Sequence, residues 1–179
     1  MPKSERYPLA PTAGIADSDF HFMKLANLLS ADHIILDMKA VEHWPSIVEL
    51  VGHLVKTEQL PVSQHEEILE AFKVREEQVS TGIGSGVAIP HAFSDHLENV
   101  IAVFGRSMAG IDFQSLDHAP VHFIILFVVP RKDYHLHLRT LAAIAKMFTN
   151  REVLRQLGAA VNLEEILAIF GSRPSRVGA

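Results

Sequence analysis

A segment in the middle of the chain, TGIGSGVAIPHA, combines alternating glycines with a proline–histidine pair. Gly82, Gly84 and Gly86 allow close backbone approach and positive φ angles, so their loop could aim several N–H groups at an anion. Pro90 restricts its own backbone and that of the preceding residue, which fixes the direction in which His91 is presented. Neutral imidazole is a nucleophile near pH 7. The segment therefore predicts an anion pocket beside a reactive histidine.

The same segment also has simpler interpretations. Its glycines follow the pattern G-x-G-x-G and no Gly-Lys-Ser/Thr follows, so it lacks the signatures of dinucleotide-binding and P-loop sites. A glycine-rich turn is often only a turn, and a lone histidine is more often a surface or core residue than a catalyst. From the residues alone, the segment indicates a candidate histidine site.

A second group of histidines lies in the run YHLHL, which contains His135 and His137. If a helix begins here, His137 lies near its first turn, where the positive end of the helix favours neutral imidazole and attracts phosphate. A neutral His137 could donate a hydrogen bond to a phosphoryl group or to His91. Two alternatives stay open: ordinary polar residues at a helix start, or a metal site, although no H-E-x-x-H motif or carboxylate-rich framework accompanies them.

The composition excludes several classes of protein. The 179 residues carry a formal net charge of -5, and no dense Lys/Arg cluster provides the basic stripe of a nucleic-acid binder. The absence of cysteine excludes a disulfide scaffold and a thiolate zinc site. With 48% hydrophobic residues, the chain can bury a sizeable core in one domain.

The hydropathy pattern predicts a cytoplasmic protein without membrane insertion. The longest apolar run covers residues 123–129, far short of the roughly 20 residues that a membrane span needs. The N-terminal sequence lacks the apolar core of a secretion signal.

Proline and glycine usage suggests the domain boundaries. Residues 1–17 contain three prolines and a glycine without periodicity and are predicted to form a disordered leader. Residues 172–179 are predicted to form a flexible tail. The region between them, 18–171, shows no linker and no repeat, so it is predicted to be one domain.

Within this domain, helical and strand patterns alternate. The helix starts are indicated by Ser18 or Asp19, by Ser63 with Glu66 as a capping box, by Asn150, and by Asn162 with Glu165. The predicted helices cover residues 20–29, 42–56, the region around Ile68 and Phe72, 135–148, a short helix through Leu157, and a last helix that ends at Gly171. The predicted strands cover residues 34–38, 87–89, 100–104 and 121–129.

The last of these strands is apolar throughout after His122, which is typical of a central strand buried on both faces. Helical segments both before and after a strand-rich centre favour an α/β fold. The predicted architecture is a mixed β-sheet flanked by helices on both sides.

Several motifs, taken in chain order, resemble the enzyme IIA domains of the fructose/mannitol class of the bacterial phosphoenolpyruvate-dependent phosphotransferase system. The resemblance extends from about residue 20 to residue 170, nearly the whole domain. The motifs that carry it are Arg75-Glu76-Glu77, Thr81-Gly82-Ile83-Gly84, Ala88-Ile89-Pro90-His91, Gly110-Ile111-Asp112-Phe113, Pro120-Val121, and His137-Leu138 with Leu141-Ala142.

The resemblance implies a phosphoryl carrier that needs no cofactor and no metal. It implies that His91 accepts phosphate, through Nε2, from the phosphohistidine of an HPr-type phosphocarrier or its nitrogen-branch relative. His137 would support the phosphoryl group and Arg75 would lie near it. The predicted phosphate-binding residues are Arg75, Thr81, Gly82, Gly84 and Gly86, and Phe93 is a candidate contact for the docking partner.

Two roles follow from the resemblance, because the chain is expected to be one IIA domain without IIB or permease domains. The spacing from Pro130 to His137, together with Thr140 and Lys146, looks closer to the nitrogen-regulatory branch, in which the phosphorylation state controls target proteins. The alternatives are a sugar-transport IIA that passes phosphate to a separate IIB protein and a binding module without phosphotransfer.

Three features depart from the family pattern. Asp117-His118 stands where the family often has Asp-Gly, and His43 and His122 lie at positions where histidine is not expected.

Overall fold

The computed structural model describes residues 25–171, apart from the side chains at positions 26, 136, 139, 140 and 143. The predicted leader, the predicted tail and the predicted cap at Ser18 or Asp19 lie outside the described residues.

The described region consists of helices arranged around one sheet. The helices are α1 (Leu25–Leu28), α2 (His43–Lys56), α3 (His65–Gln78), α4 (Tyr134–Met147), α5 (Arg151–Ala159) and α6 (Leu163–Gly171). The strands are β1 (Ile34–Ile35), β2 (Gly82–Gly84), β3 (Val87–Ala88), β4 (His91–Ser94), β5 (Ile101–Ile111) and β6 (Val121–Pro130).

The sheet is mixed and β6 lies at its centre. The strand order is β1-β5-β6-β3-β2, and β4 also pairs with β6. Strands β3 and β4 both run parallel to β6, whereas β5 and β6 are antiparallel. Strand β4 therefore continues the line of β3 on the same side of β6, after the interruption at Pro90.

Helices cover both faces of this sheet, as the sequence predicted. Alternate residues of β6 point to opposite faces, because successive side chains of a strand alternate. Phe127 and Val129 pack with residues of α4, α5 and α6, among them Ile144 and Phe170. Leu126 and its neighbours of the same parity pack with residues of α2 and α3 on the other face. This explains the unbroken apolar sequence of the strand.

The predicted helix starts are partly confirmed. Asn150 accepts a hydrogen bond from the Glu152 amide at 2.9 Å, and Asn162 accepts one from the Glu165 amide at 2.9 Å. The capping box at Ser63 was wrong, because Ser63 lies in a 3₁₀ turn (Val62–Gln64) that precedes α3.

The predicted strands differ from the observed ones in length and number. Strand β5 continues past Gly105 to Ile111, although glycine usually weakens strands. A Cβ atom at Gly105 would lie 2.9 Å from Leu50 Cδ2, so glycine is needed where α2 packs on the strand. Strands β2 and β4 were not predicted, although β4 begins at His91. Both strands are short and lack a β-branched run.

Candidate functional site

The two predicted histidines meet at one end of the sheet. His91 is the first residue of β4, and His137 is the fourth residue of α4, at the end of its first turn. Their ring centroids are 5.4 Å apart and the ring planes are inclined by 53°. His91 has the same parity as Phe93, which packs on the face covered by α4. The prediction that the two imidazoles lie together is confirmed.

The hydrogen bonds of His91 define the chemistry of its two nitrogens. Nδ1 lies 3.0 Å from the carbonyl oxygen of Ile89, and Nε2 accepts a hydrogen bond from Arg75 Nε at 3.2 Å. A carbonyl oxygen can only accept, so Nδ1 carries the proton in the neutral ring. The lone pair therefore lies on Nε2, next to the guanidinium group.

Arg75 reaches His91 from the opposite layer of the molecule. It lies in the last turn of α3, and α3 packs through Ile68 and Phe72 against the other face of the sheet. A second hydrogen bond, from Arg75 Nη1 to the carbonyl oxygen of Val79 at 2.9 Å, holds the guanidinium group in place. His91 is thus bracketed by one helix from each layer.

Burial keeps both imidazoles in their neutral form. It lowers the pKa of His91; the hydrogen bond to Ile89 and the charge of Glu76 oppose this decrease, while the charge of Arg75 adds to it. Burial, together with His91, lowers the pKa of His137 to about 4. A neutral His91 retains the Nε2 lone pair that nucleophilic attack requires.

His137 retains an unused hydrogen-bonding atom. Its side chain is buried, and Nε2 has no hydrogen-bond partner among the described residues. A buried polar atom without a partner costs free energy, so such atoms often mark functional sites. In the tautomer with a proton on Nε2, His137 can donate to an oxygen of a group bound to His91.

Aromatic rings surround the histidine pair. Phe93 contacts the ring of His137 edge-on at 5.6 Å, and it also packs on Tyr134 at 5.2 Å. Tyr134 and Leu138 are 45% and 48% exposed and therefore form an apolar rim. The rim leaves a partly exposed His91 accessible from one side.

Thr81 does not have the predicted role. It is buried, its hydroxyl group donates to Glu76 Oε1 at 2.5 Å, and its amide donates to Glu76 Oε2 at 3.2 Å. The prediction that Thr81 binds the phosphoryl group is therefore corrected, because Glu76 already occupies its donors.

The three glycines also lie away from His91. Gly84 pairs with Val87 in the β2–β3 hairpin, and Val87 and His91 pair with positions four residues apart on β6. At about 3.3 Å per residue, this separates Gly84 from His91 by about 13 Å along the sheet. Gly82 and Gly86 belong to the same hairpin. The predicted glycine-built anion pocket at His91 is therefore wrong.

The glycine turn instead binds a carboxylate of the chain itself. Asp117 accepts hydrogen bonds from the amides of Ser85 at 2.8 Å and Ala119 at 3.1 Å. These bonds, with one from Ser115, lower the pKa of Asp117. His118 has a φ of 57°, which explains why the family often has glycine at this position. The turn did aim an amide at an anion, but the anion is internal.

Neither a membrane span nor a metal site is found within residues 25–171. No helix in this region has both the length and the apolar character needed to cross a membrane. No group of three or more His, Asp or Glu side chains in the same region is placed to hold a metal ion.

The sequence of the chain matches a known family. Residues 27–172 match the family described as "Phosphoenolpyruvate-dependent sugar phosphotransferase system, EIIA 2". The chain belongs to this family. The resemblance inferred from the motifs is confirmed over nearly the whole described region.

Individual relatives fall into sugar-specific and regulatory groups. A fructose-specific EIIABC component of Bacillus subtilis is 34% identical over 148 residues; the match covers 83% of this chain and 23% of that protein. A nitrogen regulatory protein of Bradyrhizobium diazoefficiens is 28% identical over 153 residues, covering 86% of this chain and 98% of the relative. The match therefore spans nearly the whole regulatory relative but less than a quarter of the fructose-specific one.

Solved structures share the fold. The nitrogen regulatory protein IIA-Ntr of Neisseria meningitidis superimposes with a TM-score of 0.75 at 29% identity, covering 82% of this chain and 98% of that one. The mannitol IIA of Escherichia coli superimposes with a TM-score of 0.67 at 21% identity, covering 79% and 98%. The mixed sheet between two helical layers is thus the fold of these IIA proteins.

Sequence reasoning missed the roles of Glu76 and of the Ile89 carbonyl group. Glu76 was available in the Arg75-Glu76 pair, but its partner His43 lies 33 residues away in the sequence, and the partner Thr81 was assigned to phosphate binding. The Ile89 carbonyl group carries no side-chain signal at all, and only the backbone path through Pro90 brings it to His91.

Proposed function

We propose that this enzyme IIA domain is a phosphoryl carrier that accepts a phosphoryl group on Nε2 of His91. The donor is the phosphohistidine of an HPr-type phosphocarrier or its nitrogen-branch relative in the cytoplasm. The observation that supports this proposal is the hydrogen bond from His91 Nδ1 to Ile89, which leaves the Nε2 lone pair beside Arg75.

The transfer forms one bond and breaks one bond. The Nε2 lone pair of His91 attacks the phosphorus atom in line, and the N–P bond of the donor breaks, with its electron pair returning to the donor imidazole. Arg75 then turns from Nε2 to the phosphoryl oxygens, and the Nε2–H group of His137 donates a hydrogen bond to one of them without losing its proton. Fixed donors of this kind stabilise the charge of the transition state.

Docking of the donor requires an accessible apolar surface. Phe93, Tyr134 and Leu138 form the rim on the open side of the histidine pair, and two of them are substantially exposed. Aromatic side chains at a rim supply contact area at low entropic cost, which suits a partner that must bind briefly.

A regulatory role is favoured over sugar transport. The Bradyrhizobium diazoefficiens relative, named a nitrogen regulatory protein, is matched over 98% of its length. In this role, the phosphorylation state of His91 changes binding to a target protein. The second candidate is transfer to a separate IIB protein, which the name of the Bacillus subtilis fructose-specific relative favours.

Phosphorylation in a reconstituted system tests this proposal. The protein is incubated with labelled phosphoenolpyruvate, enzyme I and an HPr-type carrier, and the incorporated label is measured. The wild type and a His135→Ala variant, altered at a neighbouring exposed histidine, should be labelled, whereas His91→Ala should not. Label on His91→Ala would refute the assignment of the acceptor. Absence of label with every cognate donor would favour a binding module.

Subsequent transfer distinguishes the two roles. Phosphorylated protein is mixed with candidate IIB proteins, and loss of label from the IIA chain is followed. Rapid transfer to one IIB protein would support sugar transport, whereas retention of label with all of them would support regulation.

A further inference from the structure

His43 connects helix α2 to helix α3 through a buried hydrogen bond. Its Nε2 atom lies 2.9 Å from Glu76 Oε2, and the two side chains are 18% and 5% exposed. The His43 ring also packs on Phe113, with a centroid distance of 4.1 Å. Histidine at this position departs from the family pattern, and the mechanism above does not use it.

Glu76 is held by His43 together with Thr81. The Thr81 hydroxyl group and amide donate to the two carboxylate oxygens. Burial alone would raise the pKa of Glu76, but the hydrogen bonds from His43 and Thr81 outweigh it and lower the pKa. Glu76 is therefore a fixed negative charge inside the protein.

The hydrogen bonds continue from Thr81 to the reacting ring. The Thr81 carbonyl oxygen accepts from the Ile89 amide at 3.0 Å, and the Ile89 carbonyl oxygen lies 3.0 Å from His91 Nδ1. A continuous path therefore links His43, Glu76, Thr81, Ile89 and His91.

The other nitrogen of His91 accepts from Arg75, the residue before Glu76 in α3. The charged or titratable groups that face His91 are Arg75 and Glu76 from α3 and His137 from α4.

We propose that His43 is a positioning residue for phosphoryl transfer. By donating from Nε2 to Glu76, it fixes the carboxylate that holds Thr81, and through Thr81 and the Ile89 carbonyl group it holds the tautomer and direction of the His91 ring. The kinetic part of this inference rests on the proposed function; the part that concerns the state of the His91 ring does not.

Two substitutions separate the hydrogen bond of His43 from its packing. His43→Gln keeps an N–H group near the position of Nε2 but removes the ring. His43→Phe keeps the ring on Phe113 but removes the donor. His65→Phe is the matched control, because His65 also lies 2.9 Å from a glutamate, Glu66, which is exposed and outside the path.

Each variant is measured for the rate of phosphoryl acceptance and, by nitrogen NMR, for the tautomer and pKa of His91. His43→Phe should slow acceptance by about tenfold, because a slightly misplaced nucleophile loses in-line alignment. It should also shift the pKa of His91, because Glu76, whose charge acts on that pKa, is no longer held in place by His43. His43→Gln should stay within about twofold of the wild type, as should His65→Phe.

Two outcomes would overturn the inference. One is a His43→Phe variant that matches the wild type in both measurements. The other is a His43→Gln variant as impaired as His43→Phe, which would assign the effect to ring packing. The NMR measurement needs no donor protein, so it remains decisive even if no donor phosphorylates the wild type.

If His43→Phe fails to fold, a Glu76→Gln variant tests the same hydrogen-bonded path. Glu76→Gln keeps the shape of the side chain but removes its charge. It should lower the pKa of His91 and slow phosphoryl acceptance, and an unchanged His91 titration would contradict the proposed path.

Discussion

The Nδ1 atom of His91 lies 3.0 Å from the carbonyl oxygen of Ile89, two residues earlier in the chain. Pro90 lies between them and has a fixed φ angle, so the two groups are held together by the local backbone. This contact selects the tautomer whose Nε2 lone pair is free for chemistry.

The first prediction is that the pKa of His91 lies below its ordinary value. Because burial lowers its pKa, the ring should stay neutral at pH 7 and become protonated only below its ordinary value of 6.5. Phosphoryl acceptance should fall as pH decreases through this pKa, since protonation consumes the Nε2 lone pair. Nitrogen NMR of His91 provides the measurement, and a midpoint above 6.5 would contradict the burial argument.

Arg75→Ala should slow phosphoryl acceptance without unfolding the protein. It removes the guanidinium group beside Nε2, and loss of one such charged donor costs about 100-fold in rate. Arg131→Ala is a suitable control, because Arg131 is exposed and pairs with Asp95 at the surface. Equal rates for the two variants would exclude a role for Arg75 in the transfer.

His137 should make the protein less stable in acid. Its pKa is about 4 in the folded state and near 6.5 when unfolded, so the unfolded chain binds the proton first. Stability from this group is therefore complete above about pH 6.5 and is lost as pH falls, by about 3 kcal/mol at pH 4. Urea unfolding should show this loss in the wild type and a smaller one in His137→Gln. Identical pH dependence in both proteins would argue against a neutral, buried His137.

Asp117→Ala should affect stability and not phosphoryl transfer. Asp117 holds the glycine turn through the Ser85 and Ala119 amides, so its removal should lower the urea concentration at the midpoint of unfolding. The turn lies about 13 Å or more from His91 along the sheet, so the initial rate at a temperature where the variant is folded should not change. A large decrease in rate with unchanged stability would restore the glycine-pocket hypothesis.

Arg106→Met should destabilise the fold strongly. Arg106 is buried and donates hydrogen bonds to the carbonyl oxygens of Leu36, Leu157 and Ala160. Methionine would leave these groups without a donor, at a cost of about 2–4 kcal/mol. Urea unfolding measures this loss of unfolding free energy, and Arg106→Lys should show a smaller loss than Arg106→Met. A loss below about 0.5 kcal/mol for Arg106→Met would show that water replaces the guanidinium group.

Patterns that depend on near neighbours in the sequence were interpreted correctly. The amphipathic helix that begins near Glu42 is present, and Asn150 and Asn162 cap helices as expected. Apolar alternation and length are local signals, and they are strong in long elements such as β6. The predictions missed β2 and β4, because strands of three and four residues without a β-branched run leave too little signal to detect.

The ordered set of motifs was sufficient to identify the family, and the resemblance implied the acceptor His91 together with its neighbours Arg75 and His137. How these residues meet could not be inferred from their spacing in the chain. Arg75 and His137 come from helices on opposite faces of the sheet, and only the position of β4 beside β6 lets both reach one ring.

The glycine turn likewise combines a local property that can be inferred from its residues with a tertiary contact that cannot. Its sequence alone established that the backbone would be permissive, since Gly84 and Gly86 have positive φ angles. Which anion its amides meet was decided by the tertiary structure, because the hairpin register carries the turn away from His91 and the loop after β5 brings Asp117 to it. Local conformation is encoded by adjacent residues, whereas contact between distant groups depends on how strands and helices pack.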